Sequence, residues 1–213
     1  MKQITFYLDF ISPYAYLAFE RLPVALQGLS YHVVYKPVLF AGLLKHHGQL
    51  GPAEIPDKRD WNYRQVMWLA REHGIALQMP AAHPFNPLPL LRLAADCGDQ
   101  GLPNRWVCET VFRHVWRGGA DAVSADRLAE LEEALAPQRR HDAEAAKLAL
   151  RQHTNSAIAQ GVFGVPTFEV DGHVLWGLDA LPMLAAALQE DSWIGGEEWC
   201  AAARIAVGVS RNG

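Results

Sequence analysis

The sequence predicts an α/β fold whose small sheet is interrupted by a long all-helical block. Three observations carry that expectation. Ile4 to Phe10 (ITFYLDF) and Tyr31 to Val38 (YHVVYKPV) are strand-like runs on either side of a helical segment, which makes a βαβ unit. Leu90 to Gln160 shows helical periodicity in successive segments. Pro166 to Val170 and His173 to Trp176 then flank Asp171-Gly172, a hairpin turn, and lead into a closing helix. The order is βαβ, helical insertion, ββα.

Each element follows from local chemistry. Ile4 to Phe10 is apolar and rich in aromatic and β-branched residues, as a buried strand is. Ser12-Pro13 has the form of an N-cap followed by proline at the first helical position, opening an amphipathic helix to Leu29 with Gly28 near its end. Tyr31 to Val38 returns as a strand, and a right-handed crossover makes it parallel to the first. Phe40 to His47 is a short helix, Gly48 to Pro56 a loop, and Asp60 to Gly74 a helix ending at glycine. Pro80 to Pro89 (PAAHPFNPLP) is too rich in proline to be helical throughout. Leu90 to Gly101, Asn104 to Arg117, Ala125 to Ala136 and Asp142 to Gln160 are helices, with Ser124 as a cap and glycines as stops. Ala180 to Gln189 closes the frame. The boundaries expected are residues 1–39 and 161–190 for the α/β domain, 40–160 for the helical insertion and 191–213 for a weakly patterned tail, with Arg211 to Gly213 disordered.

The chain has 213 residues, which suits one domain with a sizeable insertion or two closely packed lobes. Half of the residues are hydrophobic and 20% charged, enough for a full core. The formal net charge of −4 and the lack of a Lys/Arg run argue against nucleic acid or an anionic membrane as partner. No apolar run approaches the ~18 residues a membrane span needs. The N-terminus enters strand residues by Ile4 without a signal-peptide pattern, so a cytoplasmic protein is expected. Cys97, Cys108 and Cys200 are widely spaced and odd in number, against a disulfide framework. The nine histidines show no metal-ligand spacing, and no metal is assigned.

The most informative stretch is Asp9-Phe-Ile-Ser-Pro-Tyr-Ala-Tyr-Leu17. It sets a serine hydroxyl where free N–H groups and the positive end of a helix dipole meet, a prepared anion site. In thioredoxin-like folds this corner carries Cys-x-x-Cys. Here the four positions are Ser12, Pro13, Tyr14 and Ala15. A corner that stabilises a thiolate and has no sulfur of its own suits a thiol brought by a ligand. Gly164-Val-Pro-Thr-Phe168 is the second signal. In thioredoxin-like folds a proline at this strand start is cis, and the residue before it turns its backbone toward a bound peptide or thiol; the element order and the Ser12 corner favour cis here. Asp179, in Trp176-Gly-Leu-Asp179, is either a plain N-cap or a carboxylate that receives a ligand ammonium. Lys58 follows the loop in Ile55-Pro-Asp-Lys58, where a solvated surface charge is the ordinary role. Trp61, Trp68, Trp106, Trp116, Tyr14 and Tyr63 are either core residues or the lining of an aromatic pocket.

Together with Lys36-Pro-Val-Leu39, Pro52-Ala-Glu-Ile-Pro-Asp-Lys58 and Asn86-Pro-Leu-Pro-Leu-Leu-Arg92, these motifs resemble the 2-hydroxychromene-2-carboxylate isomerases, relatives of the kappa-class glutathione transferases in the thioredoxin-like superfamily. The resemblance covers about residues 4 to 190. It implies a thioredoxin-like fold, a homodimer, and glutathione as cofactor for isomerising a small aromatic keto acid. Ser12 is similar to the serine that hydrogen-bonds the glutathione sulfur. Val165 and Pro166 match the edge that pairs with the cysteinyl portion, Asp179 the aspartate that binds the γ-glutamyl ammonium, and Lys58 the lysine near the glycyl carboxylate. Gln49 stands where related sequences have asparagine. Asn86 and Arg92 are candidates for the substrate carboxylate. The chain departs from the pattern at Gly177-Leu-Asp-Ala180, where a polar residue and an arginine are replaced by Leu178 and Ala180. Two other readings stay open: a kappa-like transferase that releases the adduct, and a non-catalytic thioredoxin-like binding protein.

Overall fold

The computed structural model describes residues 1–209. The expected disorder of Arg211 to Gly213 lies outside the described residues. The chain runs through β1 (Lys2–Leu8), α1 (Pro13–Ala25), β2 (Tyr31–Pro37) and α2 (Phe40–His46). Five helices follow: α3 (Pro56–Glu72), α4 (Leu88–Asp96), α5 (Arg105–Trp116), α6 (Ala125–Leu135) and α7 (Ala143–Ala159). It ends in β3 (Thr167–Val170), β4 (His173–Trp176), α8 (Leu181–Leu188) and α9 (Glu197–Ala202).

The four strands form one mixed sheet in the order β2-β1-β3-β4. β1 is central, parallel to β2 and antiparallel to β3. Consistent with that position, Ile4 to Leu8 are buried on both faces. The register sets Tyr7 opposite Thr167 and Phe6 opposite Phe168. The β3–β1 pairing therefore carries the segment before β3 to the C-terminal end of β1, where α1 begins. A slip of one residue would send each β1 side chain to the opposite face, so the different packing on the two sides fixes this alignment.

The helical block packs into the same core as the sheet. The Phe112 ring of α5 lies 4.9 Å from Phe10 and 5.2 Å from Phe19. Aromatic pairs at these separations add about 0.5–1.5 kcal/mol each beyond area burial. A smaller cluster, Tyr7, Val38, Leu43, Ala157, Val162 and Val165, sits beneath the corner between β1 and α1.

Several boundaries differ from the sequence expectation, each for a local reason. β1 ends at Leu8 rather than Phe10, because the Asp9 carbonyl accepts the Ser12 N–H at 3.1 Å and turns the chain. α1 stops at Ala25 rather than Leu29; Gly28 takes φ 83° and the Leu29 N–H closes a turn on the Leu26 carbonyl. α3 begins at Pro56, so Lys58 lies in the first turn of a helix and not in a loop. α9 occupies the segment expected to be an unpatterned tail; its residues are largely exposed, so it leaves no apolar periodicity to read. Cys97 and Cys108 are buried and Cys200 is exposed, all as free thiols. Among the described residues no helix is long and apolar enough to cross a membrane.

Candidate active site

Ser12 caps α1. Its backbone is extended, its Oγ accepts the Ala15 N–H at 3.2 Å, and Pro13 follows at the first helical position. The same hydroxyl donates to the Val165 carbonyl at 3.3 Å. The first turn holds no acidic residue, so nothing there cancels the positive end of the dipole. The Val165–Pro166 peptide is cis. The Gly177 N–H holds the Pro166 carbonyl at 2.9 Å, joining this segment to the turn that carries Asp179. Two glycines sit tight against cavity side chains, and Gly177 is required by its positive φ. A Cβ on Gly164 would lie 2.7 Å from Trp176 Nε1, and one on Gly177, at φ 105°, would lie 2.3 Å from Asp179 Oδ1.

These groups face one cavity of about 1340 Å³. Single small-molecule pockets run to about 300–1,000 Å³, so there is room for two ligands side by side. The lining brings together Ser12, Gln49, Val165, Pro166 and Asp179. Lys58, Asn86 and Arg92 are not in it. Lys58 is an exposed residue of α3. Asn86 accepts the Leu88 N–H at 3.1 Å in a local turn just before α4. Arg92 lines a separate, smaller cleft with Lys147 and Arg151. Of the aromatic residues weighed from sequence, Tyr14 and Tyr63 line the cavity. Trp116 is core, and Trp61, Trp68 and Trp106 are exposed. Phe163, Trp176 and Phe85 supply aromatic walls that the sequence reading did not assign. Leu178 faces the cavity, and so does Arg21 of α1.

Two titratable residues behind the corner were missed. Asp9 is fully buried, and its carboxylate accepts the Phe40 N–H at 2.8 Å and the Ile11 N–H at 3.2 Å. Burial pushes its carboxyl up to about 7, against the opposing pull of the Phe40, Ile11 and Phe10 N–H groups. His83 is half-buried, 2.8 Å from the Ile11 carbonyl through Nε2 and 2.7 Å from Tyr63 Oη through Nδ1. Burial moves its imidazole below the usual range. The thiols differ from a catalytic nucleophile. Burial raises Cys97 to about 11 and raises Cys108 further, and no cysteine lines the cavity among the described residues. The site offers a hydroxyl, a helix start, a backbone edge and a carboxylate, but no sulfur.

Comparison with known proteins agrees with the fold. The family model described as a DSBA-like thioredoxin domain matches residues 3–189. The chain is 27% identical over 209 residues to glutathione S-transferase kappa 2 of Caenorhabditis elegans, covering 89% of this chain and 92% of the relative. It is 29% identical over 193 residues to 2-hydroxychromene-2-carboxylate isomerase of Pseudomonas putida, covering 87% of this chain and 93% of the relative. A solved structure of a 2-hydroxychromene-2-carboxylate isomerase superposes with a TM-score of 0.71 at 24% identity, over 96% of this chain and 100% of that one.

Proposed function

The chain belongs to the DSBA-like thioredoxin domain family, and we propose that it is a glutathione-dependent isomerase of 2-hydroxychromene-2-carboxylate, acting in the breakdown of aromatic hydrocarbons. The observation that carries the reading is the Ser12 hydroxyl set against the Val165–Pro166 edge in a cavity without cysteine. The isomerase relative named above supports the reaction, and the glutathione transferase relative supports the cofactor.

The residues present fit glutathione at its thiol, its backbone and its ammonium. The Ser12 hydroxyl and the start of α1 supply donors for a sulfur anion. The Val165–Pro166 edge supplies backbone groups, Asp179 a carboxylate and Gln49 a side-chain amide, all lining the same cavity. When bound, glutathione would supply the nucleophilic thiolate that the chain lacks. Ser12 would hold that sulfur by turning its proton from the Val165 carbonyl, a long bond that costs little to give up. A serine donor and a helix dipole together lower a thiol pKa by ~1–3 units. Tyr14, Tyr63 and Phe85 would stack on the aromatic ring of the substrate and keep water from it. The thiolate that glutathione would supply suits the conversion to trans-o-hydroxybenzylidenepyruvate, with Ser12 holding the sulfur and the aromatic walls holding the ring. A homodimer in the cytoplasm is part of the proposal.

Calorimetry with reduced glutathione tests the reading. Binding at or below millimolar concentration is expected, and no heat at that concentration overturns it. The kappa-type relative favours a second reading, in which the adduct is released as product. Mass spectrometry of the product separates the two, because an isomer has the mass of the substrate and a conjugate carries glutathione.

A further inference from the structure

The peptide of Ile11, one residue before Ser12, is gripped from both sides by titratable side chains. Its N–H goes to Asp9 Oδ1 at 3.2 Å, and its carbonyl lies 2.8 Å from His83 Nε2. A carbonyl only accepts, so Nε2 carries the proton and the neutral ring has Nδ1 free as an acceptor. Tyr63 Oη stands 2.7 Å from that Nδ1 and 2.8 Å from the His83 carbonyl; its single proton serves one of these acceptors at a time, and given to Nδ1 it holds the ring in this orientation. The other oxygen of Asp9 takes the Phe40 N–H at 2.8 Å, at the start of α2. A continuous hydrogen-bonded path thus runs from α3 through His83 to the Ile11 peptide, then through Asp9 to α2. Phe40, Ile11, Tyr63 and His83 all line the cavity.

We propose that His83 is a positioning residue which, with Asp9, clamps the Ile11 peptide and so fixes where the Ser12 hydroxyl points. Neither side chain need touch the reacting atoms. Their effect passes through the backbone of the residue that carries the hydroxyl. Rigid placement matters because a donor displaced by about 1 Å loses most of its value to a charged partner. The surroundings suit a fixed brace. Asp9 is met by the N–H groups of Phe10, Ile11 and Phe40. His83 is met by Tyr63 and by the rings of Phe85 and Trp116, and Arg59 and Asp60 act on Tyr63 from α3.

The proposal rests on the glutathione reading only for its chemical consequence, and two measurements keep the two apart. The first is hydrogen exchange at the Ile11 and Ser12 amides of the full chain without ligand. In His83→Phe, exchange there is expected to quicken about fivefold, the worth of one ordinary hydrogen bond, with distant amides unchanged. His83→Gln, which keeps an amide donor in reach of the carbonyl, is expected to restore most of the protection. Unchanged exchange in folded His83→Phe overturns the clamp. If that variant does not fold, Tyr63→Phe leaves the ring in place but unheld; faster exchange at the same amides supports the clamp and unchanged exchange overturns it. The second is the pKa of the bound glutathione thiol, followed by thiolate absorbance near 240 nm. It is expected to rise by about half a unit to one unit in His83→Phe and to return in His83→Gln. A thiol pKa equal to that of the parent overturns the positioning role. Absence of glutathione binding by the parent refutes the cofactor reading, and the exchange measurement still decides the clamp.

Discussion

Replacing Ser12 by alanine separates a structural cap from a catalytic donor. In the resting protein the hydroxyl makes two bonds, one from the Ala15 N–H at 3.2 Å and one to the Val165 carbonyl at 3.3 Å. Loss of an N-cap costs about 1 kcal/mol. A hydrogen bond near the distance limit adds at the low end of ~0.5–1.5 kcal/mol. The fold should therefore lose about 1–2 kcal/mol, or about 2–8 °C in Tm for a domain of this size. The donor to a bound thiolate is charge-assisted and worth about 1.5–3 kcal/mol. Turnover should fall by about 10–150-fold at saturating glutathione. The assay is the change in absorbance as 2-hydroxychromene-2-carboxylate isomerises, normalised to the folded fraction from a urea titration. A variant that loses stability while its folded fraction keeps full turnover would show that Ser12 is only a cap, and would refute the mechanism.

Three further outcomes are expected. A variant with Cys97, Cys108 and Cys200 replaced by small residues should keep glutathione-dependent turnover per folded molecule, and the parent should not reduce insulin; loss of turnover in a folded variant would assign chemistry to a protein thiol. Asp179→Asn should weaken glutathione binding about tenfold in calorimetry, the scale of one exposed charge-assisted contact; unchanged affinity would leave Asp179 a helix-end residue without a ligand role. Asp9 gives a pH dependence with a definite sign. Its folded value of about 7 lies above the unfolded 3.8, so between those limits the folded state holds the extra proton. Its contribution to stability is therefore complete below pH 3.8 and is lost as pH rises to about 7, by at most ~4 kcal/mol. Urea titrations from pH 5 to 8 should show a fall in the parent that is absent in Asp9→Asn; parallel curves would mean that Asp9 is ionised throughout.

What the sequence made legible was whatever is encoded locally. Ser12-Pro13 announces a helix start because caps and first-turn prolines act within four residues. Asp171-Gly172 announces a hairpin for the same reason. The adjacency of Ser12 and Val165 came only through the known order of elements, since the two are 153 residues apart and joined by strand register. His83 was hidden because its partner, the Ile11 carbonyl, is 72 residues away and belongs to the backbone, which carries no sequence signal. Asp9 does leave a trace, a lone carboxylate at the end of an apolar strand, but its partners are backbone N–H groups, which carry no sequence signal. The helical setting of Lys58 was also readable. Pro56 at the first helical position and Asp57 in the first turn mark the start of α3, but the run of Gly and Pro from Gly48 drew Pro56 into the loop and delayed the expected helix to Asp60. Asn86 and Arg92 lie close in sequence to cavity residues, yet α4 turns Arg92 toward the cleft beside α7.

The dependence of turnover on glutathione is the central claim. The direct measurement is the absorbance spectrum of 2-hydroxychromene-2-carboxylate incubated with thoroughly dialysed protein, with and without added glutathione. Rapid equilibration with trans-o-hydroxybenzylidenepyruvate only when glutathione is present is the expected result. Equal rates in both samples, or no conversion in either, would contradict it.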